Sequence, residues 1–158
     1  MKFLCVLISL MTLSVAKAES YLDLGGALTL PMGGGDMRRI GGAELCVGTY
    51  FSELSAVEAT VGIEENYAAL GADVLTHWAA WELYDRFFGY SAFDPFVTAG
   101  VKGWVGSARG EVGPSLGIGA FYHFSESFSL RADVNAVLGL ESRVEVDHTF
   151  FVGIRYTL

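Results

Sequence analysis

From residue 20 to residue 158, apolar side chains alternate with polar or small ones at a period of two. In residues 57–63, for example, the odd-numbered positions are Val, Ala, Val and Ile, while the even-numbered ones are Glu, Thr and Gly. Successive side chains of a β-strand point to opposite faces, so this pattern predicts strands with one apolar and one polar face. Eight such segments follow one another, and the chain is therefore predicted to be all-β.

Charged residues lie in the middle of these segments and share the polar face with glycines. They are Glu44, Glu58, Asp73, Lys102, Arg131, Asp133 and Arg155. A soluble barrel exposes its charged face, whereas a membrane barrel turns its apolar face to lipid and keeps charge in the lumen. The glycines favour the second arrangement, because the lumen of an eight-stranded barrel is narrow. We expect these acids and bases to form ion pairs there, since an unpaired buried charge is costly.

The mean hydropathy of +0.41 is high for an exported soluble domain. After residue 18 the longest uncharged run is Val112–Ser125, and Pro114 and three glycines interrupt it. A membrane-spanning helix of about 20 apolar residues is therefore not predicted. A barrel that turns apolar strand faces to lipid would account for the hydropathy. We predict an eight-stranded antiparallel up-and-down transmembrane β-barrel.

Residues 1–18 are predicted to be a secretory signal peptide, and residues 19–158 the barrel domain. Lys2 precedes the apolar stretch Phe3–Val15, and Ala16-Lys17-Ala18 fits a small-x-small cleavage site. The apolar stretch is shorter than the span of about 20 residues that a helical membrane anchor needs. The sequence therefore predicts export by way of a cleaved leader.

The cysteines and the net charge narrow the function classes. Cleavage would remove Cys5 and leave Cys46, so no disulfide framework is expected, and Cys46 is interpreted as a small packed residue. The formal net charge is −8. An acidic chain is repelled by phosphates, which argues against a nucleic-acid partner.

The connections between segments alternate in length. Ser52–Leu54 and Ser125–Ser127 are predicted to be tight periplasmic turns, and Pro31–Gly42 and Leu138–Asp147 longer external loops. The long aromatic segment Ala79–Asp94 breaks this alternation. We interpret it as a membrane-interface segment, with a recognition surface as the alternative.

Three stretches together resemble the OmpA-like family of outer-membrane β-barrels in its small single-domain form. The first is Val47–Ser52 followed by Ala56–Ala59, the second is Asp94–Val101, and the third is the closing stretch Phe151–Leu158. The resemblance covers nearly all of residues 19–158 and implies a location in the bacterial outer membrane. It is specific for architecture and poor for function, because many roles share this barrel.

The resemblance also implies partners. These are outer-membrane lipid and lipopolysaccharide around the barrel, and the barrel-assembly machinery and periplasmic chaperones during insertion. The family usually ends on an aromatic residue that the assembly machinery recognises. This chain ends on Leu158 with Tyr156 two positions before it, and these two residues are the expected assembly signal.

The function predicted from the sequence is that of a structural outer-membrane barrel, with surface interaction or adhesion through its external loops. No nucleic-acid partner, metal or cofactor is expected, and the barrel is expected to be a monomer. A small-conductance pore is an alternative that bulky lumen residues oppose. These residues are Tyr50, Phe96, Trp104, Phe121 and Phe151.

A lipid-A-modifying enzyme is the other alternative. Its histidine would be most useful on the lipid face near the outer surface, where His148 is predicted to lie, with Ser142 and Glu145 nearby. His77 and His123 are predicted to face the lumen near the periplasmic ends of their strands. We expect no catalytic site, because no motif of the deacylase barrels is present.

Overall fold

The computed structural model describes residues 19–31, 40–64, 67–78, 92–106, 110–139 and 145–158. Its strands are β1 (Ser20–Pro31), β2 (Ile40–Tyr50), β3 (Ser55–Glu64), β4 (Tyr67–His77), β5 (Phe93–Gly106), β6 (Gly110–His123), β7 (Phe128–Gly139) and β8 (Glu145–Thr157). No helix long and apolar enough to cross a membrane is found in those ranges. The predicted signal peptide lies outside the described residues and stays a prediction.

The eight strands form a closed barrel in which each pairs antiparallel with the next and β8 pairs with β1. Closure leaves no free sheet edge, because the backbone of β1 bonds to a neighbour on either side. The predicted all-β, eight-stranded antiparallel barrel is confirmed.

The alternation in the sequence becomes an inside and an outside. On β7, Arg131 and Asp133 are buried in the lumen, while their neighbours Leu130 and Ala132 face outward. The same holds around the wall, and every strand exposes large apolar side chains. The charged face is therefore the inner one, as the shared parity of charges and glycines predicted.

Tyr21 shows how a large side chain fits into the narrow lumen. The ring of Tyr21 lies directly over Gly48 of the paired strand, so that a Cβ at Gly48 would overlap it. The hydroxyl of Tyr21 then reaches across the barrel to Glu58 on β3. Glycine at this position lets a large ring lie flat against the wall, which a narrow lumen requires.

The two ends of the barrel differ in their connections. At one end, here called the turn end, lie residues 19 and 158 and the two predicted tight turns. The amide of Phe51 donates to the carbonyl of Ser55 at 3.0 Å, and that of Ser125 to the carbonyl of Phe128 at 3.2 Å. The opposite, far end is where β1 ends and β2 begins.

The ends of three predicted connections are corrected. Gly41 and Gly42 were assigned to a loop, but they belong to β2 and pair with Leu28 and Ala27. The ladder needs only backbone groups, so an available partner strand overrides the low strand preference of glycine. Pro31 similarly belongs to β1, Leu138 and Gly139 belong to β7, Glu145 to Asp147 belong to β8, and Asp94 belongs to β5. Residues 79–91 of the predicted interface segment lie outside the described residues.

Candidate functional site: the lumen and the turn-end mouth

The middle of the lumen holds two arginines surrounded by carboxylates. Nη1 of Arg131 lies 2.6 Å from Asp23 and 2.7 Å from Glu58, and its Nε lies 2.6 Å from Asp133. Nε of Arg155 lies 2.7 Å from Asp23, and its Nη2 lies 2.9 Å from Glu58. We call these five residues the lumen cluster; they come from β1, β3, β7 and β8 and tie the barrel together across its axis.

The other predicted lumen charges lie further toward the far end. Nζ of Lys102 donates to Glu44 at 2.6 Å, and both side chains are buried. Asp73 accepts a hydrogen bond of 2.6 Å from the hydroxyl of Ser115. The structure thus places all seven predicted residues in the lumen. It brings Glu44 to Lys102 and brings Glu58 and Asp133 to the arginines, while the described partner of Asp73 is a hydroxyl.

Asp23 is the residue that the sequence-based site omitted. It is fully buried and binds both arginines, so it lies at the centre of the lumen cluster. The signal was present, because Leu22 and Leu24 flank Asp23 and place it on the polar face of the first segment.

Aromatic rings pack against this cluster on the side of the turn end. Phe96 and Phe121 stack with centroids 4.5 Å apart and pack with Leu75. The guanidinium of Arg155 lies 3.9 Å from the centroid of Phe121 and 3.4 Å from that of Tyr21. Rings and guanidinium groups in such contact attract through the quadrupole of the ring. The stacked layer fills this part of the lumen.

The far end of the lumen is packed with apolar side chains. Ala69, Trp104 and Val137 form a buried cluster there, and Tyr67 packs against it. Between this cluster and the arginines, Cys46 is buried and receives a hydrogen bond from Thr60 at 3.5 Å. Its position fits the interpretation of Cys46 as a small packed residue.

A chain of hydrogen bonds crosses the turn-end mouth. Tyr50 lies 2.8 Å from Nε2 of His77, and Nδ1 of His77 lies 2.6 Å from Oδ2 of Asp94. The same Oδ2 lies 3.4 Å from Nε2 of His123, whose Nδ1 is 2.6 Å from the hydroxyl of Ser129. These five residues, here called the histidine chain, come from β2, β4, β5, β6 and β7. The sequence placed both histidines at this end, but it gave no sign that they share a carboxylate.

The histidine chain contains a serine, a histidine and an aspartate in hydrogen-bonded order. In hydrolases such an order activates the serine as a nucleophile. Here Ser129 is only 3% exposed. A substrate would therefore have to displace part of the packed mouth before it could reach the hydroxyl.

The predicted enzyme histidine has a different setting. His148 lies on the outward parity of β8, between Leu30 and Ala136 of the neighbouring strands. Its Nδ1 is buried and accepts or donates no hydrogen bond among the described residues. Ser142 lies outside those residues. Within the described ranges, no three His, Cys, Asp or Glu side chains are grouped as they would be around a metal ion.

An aromatic rim surrounds the outside of the barrel near the turn end. Its exposed members are Phe51, Trp78, Phe93, Tyr122, Phe124, Phe128 and Tyr156. Phe128 and Tyr156 face each other on paired strands, with ring centroids 5.0 Å apart. The predicted assembly-signal residues Tyr156 and Leu158 are both exposed and lie within or next to this rim.

No protein-family model and no curated protein sequence matches this chain. Solved structures do match it. Neisserial surface protein A aligns with a TM-score of 0.63 and 15% identity over 90% of this chain and 99% of that chain. The outer membrane protein OprG from Pseudomonas aeruginosa gives 0.60 and 12% over 90% and 97%.

A third structure is that of Ail, the attachment invasion locus protein of Yersinia pestis, in complex with the heparin analogue sucrose octasulfate. It aligns with a TM-score of 0.59 and 14% identity over 90% of this chain and 99% of that chain. At these identities the likeness concerns the fold. The chain has the fold of the small eight-stranded outer-membrane β-barrels.

Proposed function

We propose that this protein is a structural barrel of the bacterial outer membrane, whose far-end loops serve surface interaction or adhesion. The observation that carries the proposal is the inverted wall, with charge inside and apolar side chains outside. A soluble barrel with this surface would expose apolar area on every strand to water, at a cost of about 25 cal/mol per Å². In a bilayer the same surface is solvated by lipid.

Strand length and the aromatic rim support the membrane assignment. The strands have 10 to 14 residues, and a tilted transmembrane strand needs about 9 to 11. Tyr and Trp side chains concentrate at membrane interfaces, where their apolar bodies and polar tips are both satisfied. The rim therefore marks an interface at the turn end. Because the tight turns lie there and membrane barrels have short periplasmic turns, we assign that end to the periplasm.

The proposed partners follow from this placement. Outer-membrane lipid and lipopolysaccharide contact the apolar wall, and the barrel-assembly machinery and periplasmic chaperones act on the chain during insertion through Tyr156 and Leu158. Because the barrel is closed, it has no strand edge to offer to a second copy, which supports a monomer. Adhesion is the finer part of the proposal; Ail, a similar barrel, is named for attachment and invasion.

The proposal is tested by producing the full chain in a Gram-negative host and fractionating the envelope. We expect the protein in the outer-membrane fraction, cleaved after Ala18, and running at different gel positions before and after boiling. A tag inserted between Gly33 and Gly34 should be accessible on intact cells. A tag after Leu158 should become accessible only when the outer membrane is opened.

Recovery in the soluble periplasmic fraction, with the same gel position before and after boiling, would overturn the membrane assignment. The reversed tag pattern would overturn only the orientation. A matched variant, Val152→Ala, keeps the outer wall apolar and should fractionate as the wild type does. Adhesion is measured separately, as binding of intact cells to a host-cell layer with and without the chain.

One observation favours a second function, the modification of a membrane lipid: the hydrogen-bonded order Ser129–His123–Asp94. The burial of Ser129 opposes it. Mass spectrometry of lipid A and phospholipids with and without the protein decides between the two. An acyl pattern that changes with the wild type and reverts in Ser129→Ala or His148→Ala would favour the enzyme.

A further inference from the structure

The directions of the hydrogen bonds in the histidine chain follow from the donors present. A guanidinium has no acceptor, so the 3.1 Å contact between Nη1 of Arg155 and the Tyr50 oxygen is donated by Arg155. The hydroxyl proton of Tyr50 is then free to point at Nε2 of His77, 2.8 Å away. His77 accepts it there and donates from Nδ1 to Asp94.

The same reasoning assigns the other half of the chain. Asp94 presents one oxygen, Oδ2, to both imidazoles, and a carboxylate only accepts. His123 therefore donates from Nε2, and its Nδ1 accepts from the hydroxyl of Ser129 at 2.6 Å. With both rings neutral, every donor of the chain has an acceptor, and the bonds converge on Asp94 from two sides.

Protonation of His77 breaks this match. Its Nε2 then carries a proton that faces the Tyr50 oxygen, which already accepts from Arg155. The imidazolium and the guanidinium would share one oxygen, and the hydroxyl proton of Tyr50 would lose its acceptor. His77 and Tyr50 lie on strands that β3 separates, so this is a bond across the mouth and not along one ladder.

We propose that the histidine chain is a proton-operated latch of the turn-end mouth, closed when His77 and His123 are neutral and loosened when they are protonated. Histidine suits this role, because its ordinary pKa of about 6.5 brings its change of charge between pH 5 and 8. Acidification turns the two neutral rings beside the Asp94 carboxylate into two cations. Arg155 is a third cation next to them.

The groups that face the latch come from several strands. His77 is faced by Tyr50 of β2, and along the chain by Asp94 of β5 and His123 of β6. The uncharged rings of Phe96 and Phe121 flank His77. Arg155 on β8 is held from behind by Asp23 of β1 and Glu58 of β3, which Tyr21 also contacts. Arg155 is therefore not free to move away from the imidazolium.

The test is amide hydrogen exchange of the folded full barrel in detergent micelles, followed residue by residue by NMR. The amides of His77 and His123 donate to the carbonyls of Leu54 and Ala92 at this mouth, at 2.8 and 2.7 Å. Exchange at about pH 7.5 and about pH 5.5, one unit either side of the ordinary histidine pKa, is corrected for intrinsic rates. We expect a several-fold loss of protection of these amides at the lower pH, with the amide of Trp104 at the far end unchanged.

Two variants set the limits of the response. His77→Gln has a neutral amide that can accept from Tyr50 and donate to Asp94, so protection should fall less at the lower pH than it does in the wild type. Tyr50→Phe lacks the hydroxyl, so protection should be low at both. Heat-modifiable gel migration checks that each variant is folded.

Equal protection in the wild type at the two pH values would overturn the proposal. So would a pH-dependent loss of the same size in His77→Gln. A second measurement does not depend on any variant: nitrogen-15 spectra of labelled histidine should show His77 as the Nδ1–H tautomer and His123 as the Nε2–H tautomer near pH 7.5. The opposite tautomer for His77 would contradict the hydrogen-bond directions on which the latch rests.

Discussion

The two faces of the barrel wall are built from neighbouring residues and obey different rules. Gly25 and Gly26 are adjacent on β1, yet a Cβ at Gly25 would overlap the backbone of β8, whereas one at Gly26 would meet its first neighbour, a carbonyl oxygen, at 3.8 Å. Arg131 binds three carboxylates, and its neighbour Ala132 faces outward. Inside, shape and charge are both fixed by contacts; outside, only apolarity is required.

This difference teaches where the specificity of the fold lies. Lipid adapts to any apolar side chain, so the outer face constrains composition and leaves identity open. The lumen charges are largely buried, and each of them needs a particular partner at hydrogen-bond distance. Substitutions on the inner face should therefore have the larger and more position-dependent effects.

The largest effect is expected for Arg131→Met. The change keeps the volume of the side chain. It leaves Arg155 as the one arginine of the lumen cluster, against the three carboxylates of Asp23, Glu58 and Asp133. Removing one partner of a buried ion pair costs about 3–5 kcal/mol, because the remaining charge is left uncompensated. Urea unfolding in lipid vesicles, followed by tryptophan fluorescence, measures the loss of free energy of unfolding.

Arg131→Lys is the matched control, because it keeps the charge and loses the forked geometry that reaches several carboxylates. Its loss should be clearly smaller than that of Arg131→Met. If the two variants lost equal stability, packing of the arginine against Phe96 and Phe151 would matter more than its charge.

A smaller loss is expected for Val152→Arg on the outer face. Val152 lies in the middle of β8, between Gly26 and Ala132, and more than half of its surface is exposed. An arginine facing the bilayer near the midplane costs about 2–4 kcal/mol. The same unfolding measurement applies, with Val152→Leu as the apolar control, which should be near neutral. An unaffected Val152→Arg barrel would mean that this face does not contact lipid.

The two glycines of β1 give a direct comparison at one height of the wall. Gly25→Ala should cost about 1–3 kcal/mol, because its Cβ meets the backbone of Gly153 at 2.5 Å and the ring of Phe151 at 2.7 Å. Gly26→Ala should be neutral or slightly stabilising, since alanine has less backbone freedom to lose. Similar values for the two would mean that the wall shifts to accept a methyl group.

The sequence was sufficient for the barrel because its signal is repeated on every strand. Alternation such as that of residues 57–63 survives small errors in any one segment, and the shared parity of glycines and charges distinguished inside from outside. Boundaries were less predictable. Gly41 and Gly42 have the composition of a turn, and only the presence of β1 beside them makes them a strand.

The site was predictable as a set of residues but not as a set of pairs. Parity places Glu58 and Arg131 in one lumen. The two residues are 73 positions apart in the chain, and their contact depends on the register of the strands that carry them. Parity also placed His77 and His123 on the lumen face, and their positions at the ends of β4 and β6 placed them near one end. That both rings face Oδ2 of Asp94 follows from the relative heights of β4, β5 and β6, which alternation does not encode.

The smallest effect is expected in the aromatic rim, where identity should matter least. Phe128 and Tyr156 lie opposite each other with centroids 5.0 Å apart and planes inclined by 43°. Such pairs contribute about 0.5–1.5 kcal/mol beyond the area they bury. A double-mutant cycle of Phe128→Leu and Tyr156→Leu should return a coupling energy in this range, because leucine keeps each position apolar. A coupling energy near that of the lumen ion pairs would erase the contrast between the two faces, since it would show the outer wall fixing identity as tightly as the inner one.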